Sequence, residues 1–202
     1  MPAASYDVFL AEQLPTTVAD LPPDLDRRMW SPISATLVQG ERDAVLVDPL
    51  MTVDQADALV EWVAAKGKRL TAVYVTHGHG DHWFGLAAVL RRFPLARALA
   101  LPAAVEHMRE QAAVASSFWE PRFPGQIPAD LVLASPLAGD TFELAGHVLR
   151  AVPLGHTDTT CLHVPDLDLV IAGDAAYEAM GALHSGRINR GALWGSARSA
   201  KG

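Results

Sequence analysis

Between residues 76 and 82 the chain reads Thr-His-Gly-His-Gly-Asp-His, placing four side chains able to bind a metal ion, His77, His79, Asp81 and His82, within six residues. An apolar run, Leu70–Thr76, predicts a short strand immediately before this loop, and a helix is predicted from Trp83 to Arg92 after it. Gly78 and Gly80 let so short a loop turn alternate side chains inward without steric cost. Imidazole nitrogen suits zinc, and a carboxylate can complete the shell of a second ion. Two further candidates stand where apolar strands run out, His156 in Leu-Gly-His-Thr and Asp174 in Ile-Ala-Gly-Asp. A strand-end position mounts a ligand rigidly toward a cleft rather than the core. A solvated histidine-rich loop without metal is the plain alternative, and the ordered strand and helix on either side weigh against it.

The rest of the chain alternates strand-like and helix-like segments, which favours α/β or α+β over a helical bundle. Val18 to Pro32 is rich in Pro and Asp and reads as a loop, and two hairpin strands follow at Ser34–Val38 and Ala44–Val47, the second ending at Asp48-Pro49. Ala56, Leu59, Val60 and Val63 recur at helical spacing behind a Thr52 or Asp54 cap, predicting an amphipathic helix that stops near Gly67. Further on come a strand at Ala96–Ala100, a helix over Pro102–Ala115 and a Pro-rich loop over Glu120–Pro128. Four strands close the body, Thr141–Leu144, His147–Pro153, Cys161–Val164 and Leu169–Ala172, the last two joined by the Pro165–Asp168 turn.

The loop His-x-His-x-Asp-His after a strand, the later Gly-His-Thr and the later Gly-Asp together resemble the signature of the metallo-β-lactamase superfamily, and the likeness covers about residues 5–180. It implies an α/β fold, a four-layer αββα sandwich with the site at one edge of its two sheets. Carried over position by position, it implies one zinc ion held by His77, His79 and His156 and a second held by Asp81 and His82, with Asp174 bridging both. It also implies that Asp48 orients the ligands from behind and that Asp81 orients the attacking nucleophile. The implied activity is zinc-dependent hydrolysis of an ester, thioester, lactone or amide-type bond in a small-molecule substrate. Two other readings stay open: an iron-dependent oxygenase on the same fold, because iron accepts the same donors, and a catalytically impaired metal binder. The second arises because members with this signature usually carry one more histidine well beyond the Gly-Asp motif, where only His184 remains.

Residues 181–202 carry +4 with no Asp or Glu and hold five of the fifteen glycines, so they read as a poorly ordered basic tail and the second half of the sandwich as incomplete. Domain 1–180 is thus expected to stand apart from 181–202. The net charge of −7 gives no electrostatic footprint for nucleic acid, and no apolar run approaches a membrane helix. The N-terminal residues lack the pattern of an export signal, which makes the cytoplasm the expected location. The single cysteine, Cys161, excludes an internal disulfide framework and a Cys-rich zinc site, and reads as a small core residue. No phosphate-binding loop and no Gly-x-Ser-x-Gly elbow occurs. His107 is read as a surface histidine, His147 and His163 as satisfied or solvent-facing rings, and Ser116–Trp119 as either a pocket border or a core anchor.

Overall fold

A strand buried on both faces must supply an apolar partner above and below the sheet at every residue, which is why its sequence is continuously apolar rather than alternating. Ala44-Val-Leu-Val47 behaves this way: Ala44 and Leu46 join one core, Val45 and Val47 the other. The computed structural model describes residues 4–17, 28–155 and 158–176. His156, His184, residues 18–27 of the expected entry loop and the segment 181–202 lie outside the described residues.

The first sheet runs in the order β1 (Ser5–Leu10), β2 (Ser34–Gln39), β3 (Asp43–Val47), β4 (Arg69–Tyr74), β5 (Arg97–Ala100) and β6 (Ser135–Pro136). Its first three strands are antiparallel, and β3 to β6 are parallel. Three helices, α1 (Val53–Ala65), α2 (Leu86–Arg92) and α3 (Pro102–Ala113), make the parallel crossovers and pack in the core on one side of this sheet. On the other side lies a second, antiparallel sheet of β7 (Thr141–Leu144), β8 (His147–Pro153), β9 (Thr160–Val164) and β10 (Leu169–Ile171). Val38, Val45, Val47, Tyr74 and Leu99 pack there against Phe142, Leu149 and Leu162. The fold is the expected α/β sandwich, and among the described residues its layers are helix, sheet, sheet. None of the described helices is long and apolar enough to cross a membrane.

Local chemistry sets the element bounds. Thr52 caps α1 through a reciprocal box, its hydroxyl accepting from the Gln55 amide at 3.3 Å while the Gln55 side chain accepts from the Thr52 amide at 3.4 Å. Thr52→Ala is therefore expected to lower stability by about 1 kcal/mol, read from denaturant unfolding. In β4 the pairing passes from Ala44–Leu70 to Val45–Ala72, leaving Thr71 as the extra residue of a bulge whose hydroxyl donates to the Ala44 carbonyl at 3.1 Å.

Several bounds differ from the expectation. The helix predicted from Trp83 begins at Leu86, after a 3-10 turn at Gly80–His82. Trp83 is instead buried with its indole N–H donated to the Gly78 carbonyl at 2.8 Å, and the Gly85 amide donates to the Leu50 carbonyl at 3.1 Å, which ties this stretch to the turn after β3. The helix predicted to Ala115 gives way after Ala113 to a π-type turn over Ala115–Trp119. Strands β1 and β6 stand outside the segments that the sequence pattern marks as strands; β6 has two residues, too short to leave a periodic pattern.

Candidate metal centre

Parallel strands β3 and β4 end side by side, so Asp48 and Thr76, just past their carboxyl ends, meet in the interior. One Asp48 oxygen accepts from the Thr76 amide at 2.8 Å. The other accepts the Thr76 hydroxyl at 2.8 Å and lies 3.0 Å from His82 Nδ1. Asp48 adopts φ +57 and Leu50 φ +65, left-handed conformations that L residues reach at a cost of about 1–2 kcal/mol each.

These contacts fix which ring nitrogens carry hydrogen. The Thr76 hydroxyl spends its hydrogen on Asp48, so its lone pair faces His77 Nδ1 at 3.1 Å and His77 is protonated on Nδ1. Asp48 likewise draws the hydrogen of His82 to Nδ1. Both Nε2 atoms are left with lone pairs turned toward Asp174, at 3.5 Å from His77 to one carboxylate oxygen and 3.0 Å from His82 to the other. His82 Nε2 is buried and has no hydrogen-bond partner. Lone pairs facing carboxylate oxygens across such distances need a cation between them, a proton or a metal ion. The direction in which the groups titrate expresses the same demand. Burial disfavours a charged His82, yet Asp48 and Asp174 hold its pKa well above the ordinary value. Burial would also raise Asp174, but the His77 and His82 rings that face it drive its carboxyl far below the usual range.

The ligand atoms of His77, His82 and Asp174 all lie within 4.8 Å of one another. His79, more exposed, brings Nδ1 to 3.1 Å from His77 Nε2. Two nitrogens bound to one tetrahedral zinc ion, each at ~2.0–2.1 Å, stand about 3.3 Å apart. The donor set therefore fits metal ions in chemistry and in spacing. Asp81 is buried in the same loop and accepts the Trp30 indole N–H at 3.0 Å on one oxygen. His156 falls outside the described residues.

Two residues that the sequence does not single out stand around this loop. Trp30, in the stretch expected to be plain loop, packs edge-on against Trp119 and Phe123, with centroids 5.5 Å away in each case. His107 is not the surface residue expected. Its ring stands 4.9 Å from that of His79, and its Nδ1 is 2.6 Å from Asp158, because the buried face of α3 turns it toward the loop. The i, i+4 spacing of His107 and Gln111, which meet at 3.2 Å, was the available hint. Of the stretch 116–119, Trp119 is a core anchor at 2% exposure, whereas Phe118 is exposed. Cys161 is buried and its thiol pKa is raised by that burial, as suits a small core residue. His147 is buried with Nδ1 2.6 Å from Asp166, far from the ligand loop in the chain.

Residues 28–200 match the family model of the metallo-beta-lactamase superfamily. The chain is 34% identical over 119 residues to a hydroxyacylglutathione hydrolase of Synechococcus sp., covering 58% of this chain and 36% of that protein. It is 35% identical over 101 residues to a ribonuclease Z of Thermobifida fusca, covering 45% of this chain and 29% of that one. The chain thus spans about a third of the length of the curated relatives it matches. In three dimensions it resembles the crystal structure of BLEG-1 B3 metallo-beta-lactamase with a TM-score of 0.56 at 18% identity, over 84% of this chain and 74% of that one. A family match across most of its length, on a two-sheet sandwich with the ligand loop at the strand ends, shows that this chain belongs to the metallo-beta-lactamase superfamily.

Proposed function

We propose that the protein is a zinc-dependent hydrolase of small acyl compounds, with His77, His79 and His156 as the ligands of one ion, Asp81 and His82 as those of a second, and Asp174 between them. The observation that carries this reading is the convergence of the His77 and His82 Nε2 atoms on Asp174, with all three ligand atoms within 4.8 Å of one another and the His82 Nε2 buried without a hydrogen-bond partner. When bound, zinc at such a set supplies Lewis acidity and a nucleophile at neutral pH. The chain's own residues prepare for that role. Asp48 and Thr76 hold the two imidazoles in the tautomer that leaves Nε2 free. Trp30 occupies one oxygen of Asp81 and leaves the other to act.

Similarity to a hydroxyacylglutathione hydrolase points to a thioester or related acyl bond, and similarity to a ribonuclease Z points to a phosphodiester. The first is favoured by charge. An open cleft of about 480 Å³ lined by Ala103, Glu106, His107, Glu110 and Asp158 adjoins the loop through Asp158, and although Arg109 pairs with Glu106 and His107 with Asp158, the net charge of −7 makes a polyanion the poorer fit.

The test is elemental analysis followed by assays on thioester, lactone and phosphodiester substrates. At least one equivalent of zinc is expected, and the double variant His77→Ala, His79→Ala should bind at least tenfold less and lose acyl hydrolysis. Iron in place of zinc would turn the reading toward oxygen chemistry, and metal content unchanged in the double variant would refute the ligand assignment.

A further inference from the structure

Helix α3 touches the ligand loop through one polar chain whose direction can be worked out atom by atom. The Trp119 indole N–H can only donate, and it meets Gln111 Oε1 at 2.9 Å. That orients the Gln111 amide, so its NH₂ group is the one that faces His107 Nε2 at 3.2 Å and must donate to it. Nε2 of His107 is therefore the acceptor, and its Nδ1–H donates to Asp158 at 2.6 Å. The same Asp158 oxygen accepts the Gly78 amide at 3.1 Å. Gly78 is the residue between His77 and His79, and it is pressed against His107 so closely that a Cβ on it would overlap the His107 side chain and backbone.

We infer that His107 is a positioning residue for the metal centre: through Asp158 it pins the Gly78 amide and so sets the spacing of His77 and His79. The inference rests on the proposed metal assignment but makes a separate claim, since His107 and Asp158 are not among the ligands. His77 and His79 sit on either side of one peptide whose orientation decides whether their nitrogens converge. The loop has no strand pairing of its own at Gly78, and Asp158 supplies the acceptor that its N–H would otherwise lack. Hydrogen-bonding partners behind the ligands typically change metal affinity by about 10–100-fold when removed.

The experiment uses the full chain with two substitutions at one position. His107→Phe keeps a ring against His79 and removes the donor; His107→Asn places an N–H close to where Nδ1 stood. Three readouts are taken: hydrogen exchange of the Gly78 amide in metal-free protein, zinc affinity by chelator competition, and the visible spectrum of the cobalt-loaded protein. His107→Phe should speed Gly78 exchange by about tenfold or more, weaken zinc by about 10–100-fold and alter the cobalt bands. His107→Asn should restore all three to within a few-fold. Gln111→Met, which unlocks the tautomer without touching ring or carboxylate, should shift them the same way by less, and it serves if the Phe variant does not fold. Unchanged Gly78 exchange in the Phe variant overturns the inference whatever the metal data show. So does faster exchange with zinc affinity and cobalt spectrum unaltered. Wild-type protein that binds neither zinc nor cobalt overturns the proposed function and the positioning role together, whereas normal wild-type binding with an indifferent Phe variant overturns the positioning role alone.

Discussion

Asp48→Asn should abolish tight zinc binding while leaving a folded protein, with affinity falling by about 100-fold or more in a chelator competition, the upper end of what partners behind metal ligands contribute. The reason is hydrogen bookkeeping. Oδ1 can still accept the Thr76 amide, but the position of Oδ2 becomes an NH₂ group, which can only donate. It donates to the Thr76 hydroxyl, and that hydroxyl now sends its own hydrogen to His77 Nδ1. Its second hydrogen goes to His82 Nδ1. Both imidazoles in the variant then carry hydrogen on Nε2, where in the wild type each offers a lone pair toward Asp174. Asp48→Ala differs in kind. It leaves the buried Thr76 amide and hydroxyl and the buried His82 ring without their acceptor, so about 3–5 kcal/mol of stability should be lost along with the metal. An Asn variant with wild-type zinc affinity would show that the tautomers are not set by Asp48.

The contrast between what the sequence announces and what it conceals follows from how each residue reaches the centre. His77, His79, Asp81 and His82 are contiguous, so their shared purpose is visible without a fold, and Asp48 stands at the end of an apolar run that has to be a buried strand. The Thr52 cap was equally legible, because Gln55 follows at the one spacing a capping box requires. Trp30 and His107 arrive from segments 51 and 28 positions away from Asp81 and His79, brought there by packing against Trp119 and by the buried face of α3. Nothing local distinguishes such a tryptophan from a core anchor or such a histidine from a surface one. The late start of α2 has a similar origin. Residues 83–85 end in Gly85, a poor helix former that serves as the N-cap, and a tertiary contact with the turn after β3 holds that glycine outside the helix. Strand β1 leaves little trace in the sequence because Tyr6, Val8 and Leu10 lie on an exposed face, so no contrast between a buried and a solvated side betrays the period of two.

That tertiary contact makes Gly85→Ala a strongly destabilising substitution for the addition of a single methyl group. Gly85 has φ −71 and ψ −3, a conformation open to any residue, so the backbone itself sets no demand for glycine. The demand is steric. A Cβ would overlap the Pro49 carbonyl oxygen and lie 3.1 Å from the Ala56 Cβ and 3.2 Å from the Pro49 carbonyl carbon. Pro49 cannot step aside, because its neighbours Asp48 and Leu50 are both in left-handed conformations, and Asp48 is pinned by Thr76 and His82. The added methyl must displace α2 from α1 or push the turn, and either costs about 3 kcal/mol, the upper range for overpacking. For a chain of this size that is a drop of about 6–12 °C in melting temperature. If the turn is what yields, Asp48 moves with it and zinc affinity falls as well. Gly139→Ala is the matched control: φ is +87 but nothing lies within 4 Å of the new Cβ, so it carries backbone strain without a clash. It should cost about 1 kcal/mol and leave zinc binding untouched. A Gly85→Ala protein that melts within a degree or two of the wild type would mean that the turn carrying Asp48 is free to move and that Asp48 is not rigidly mounted.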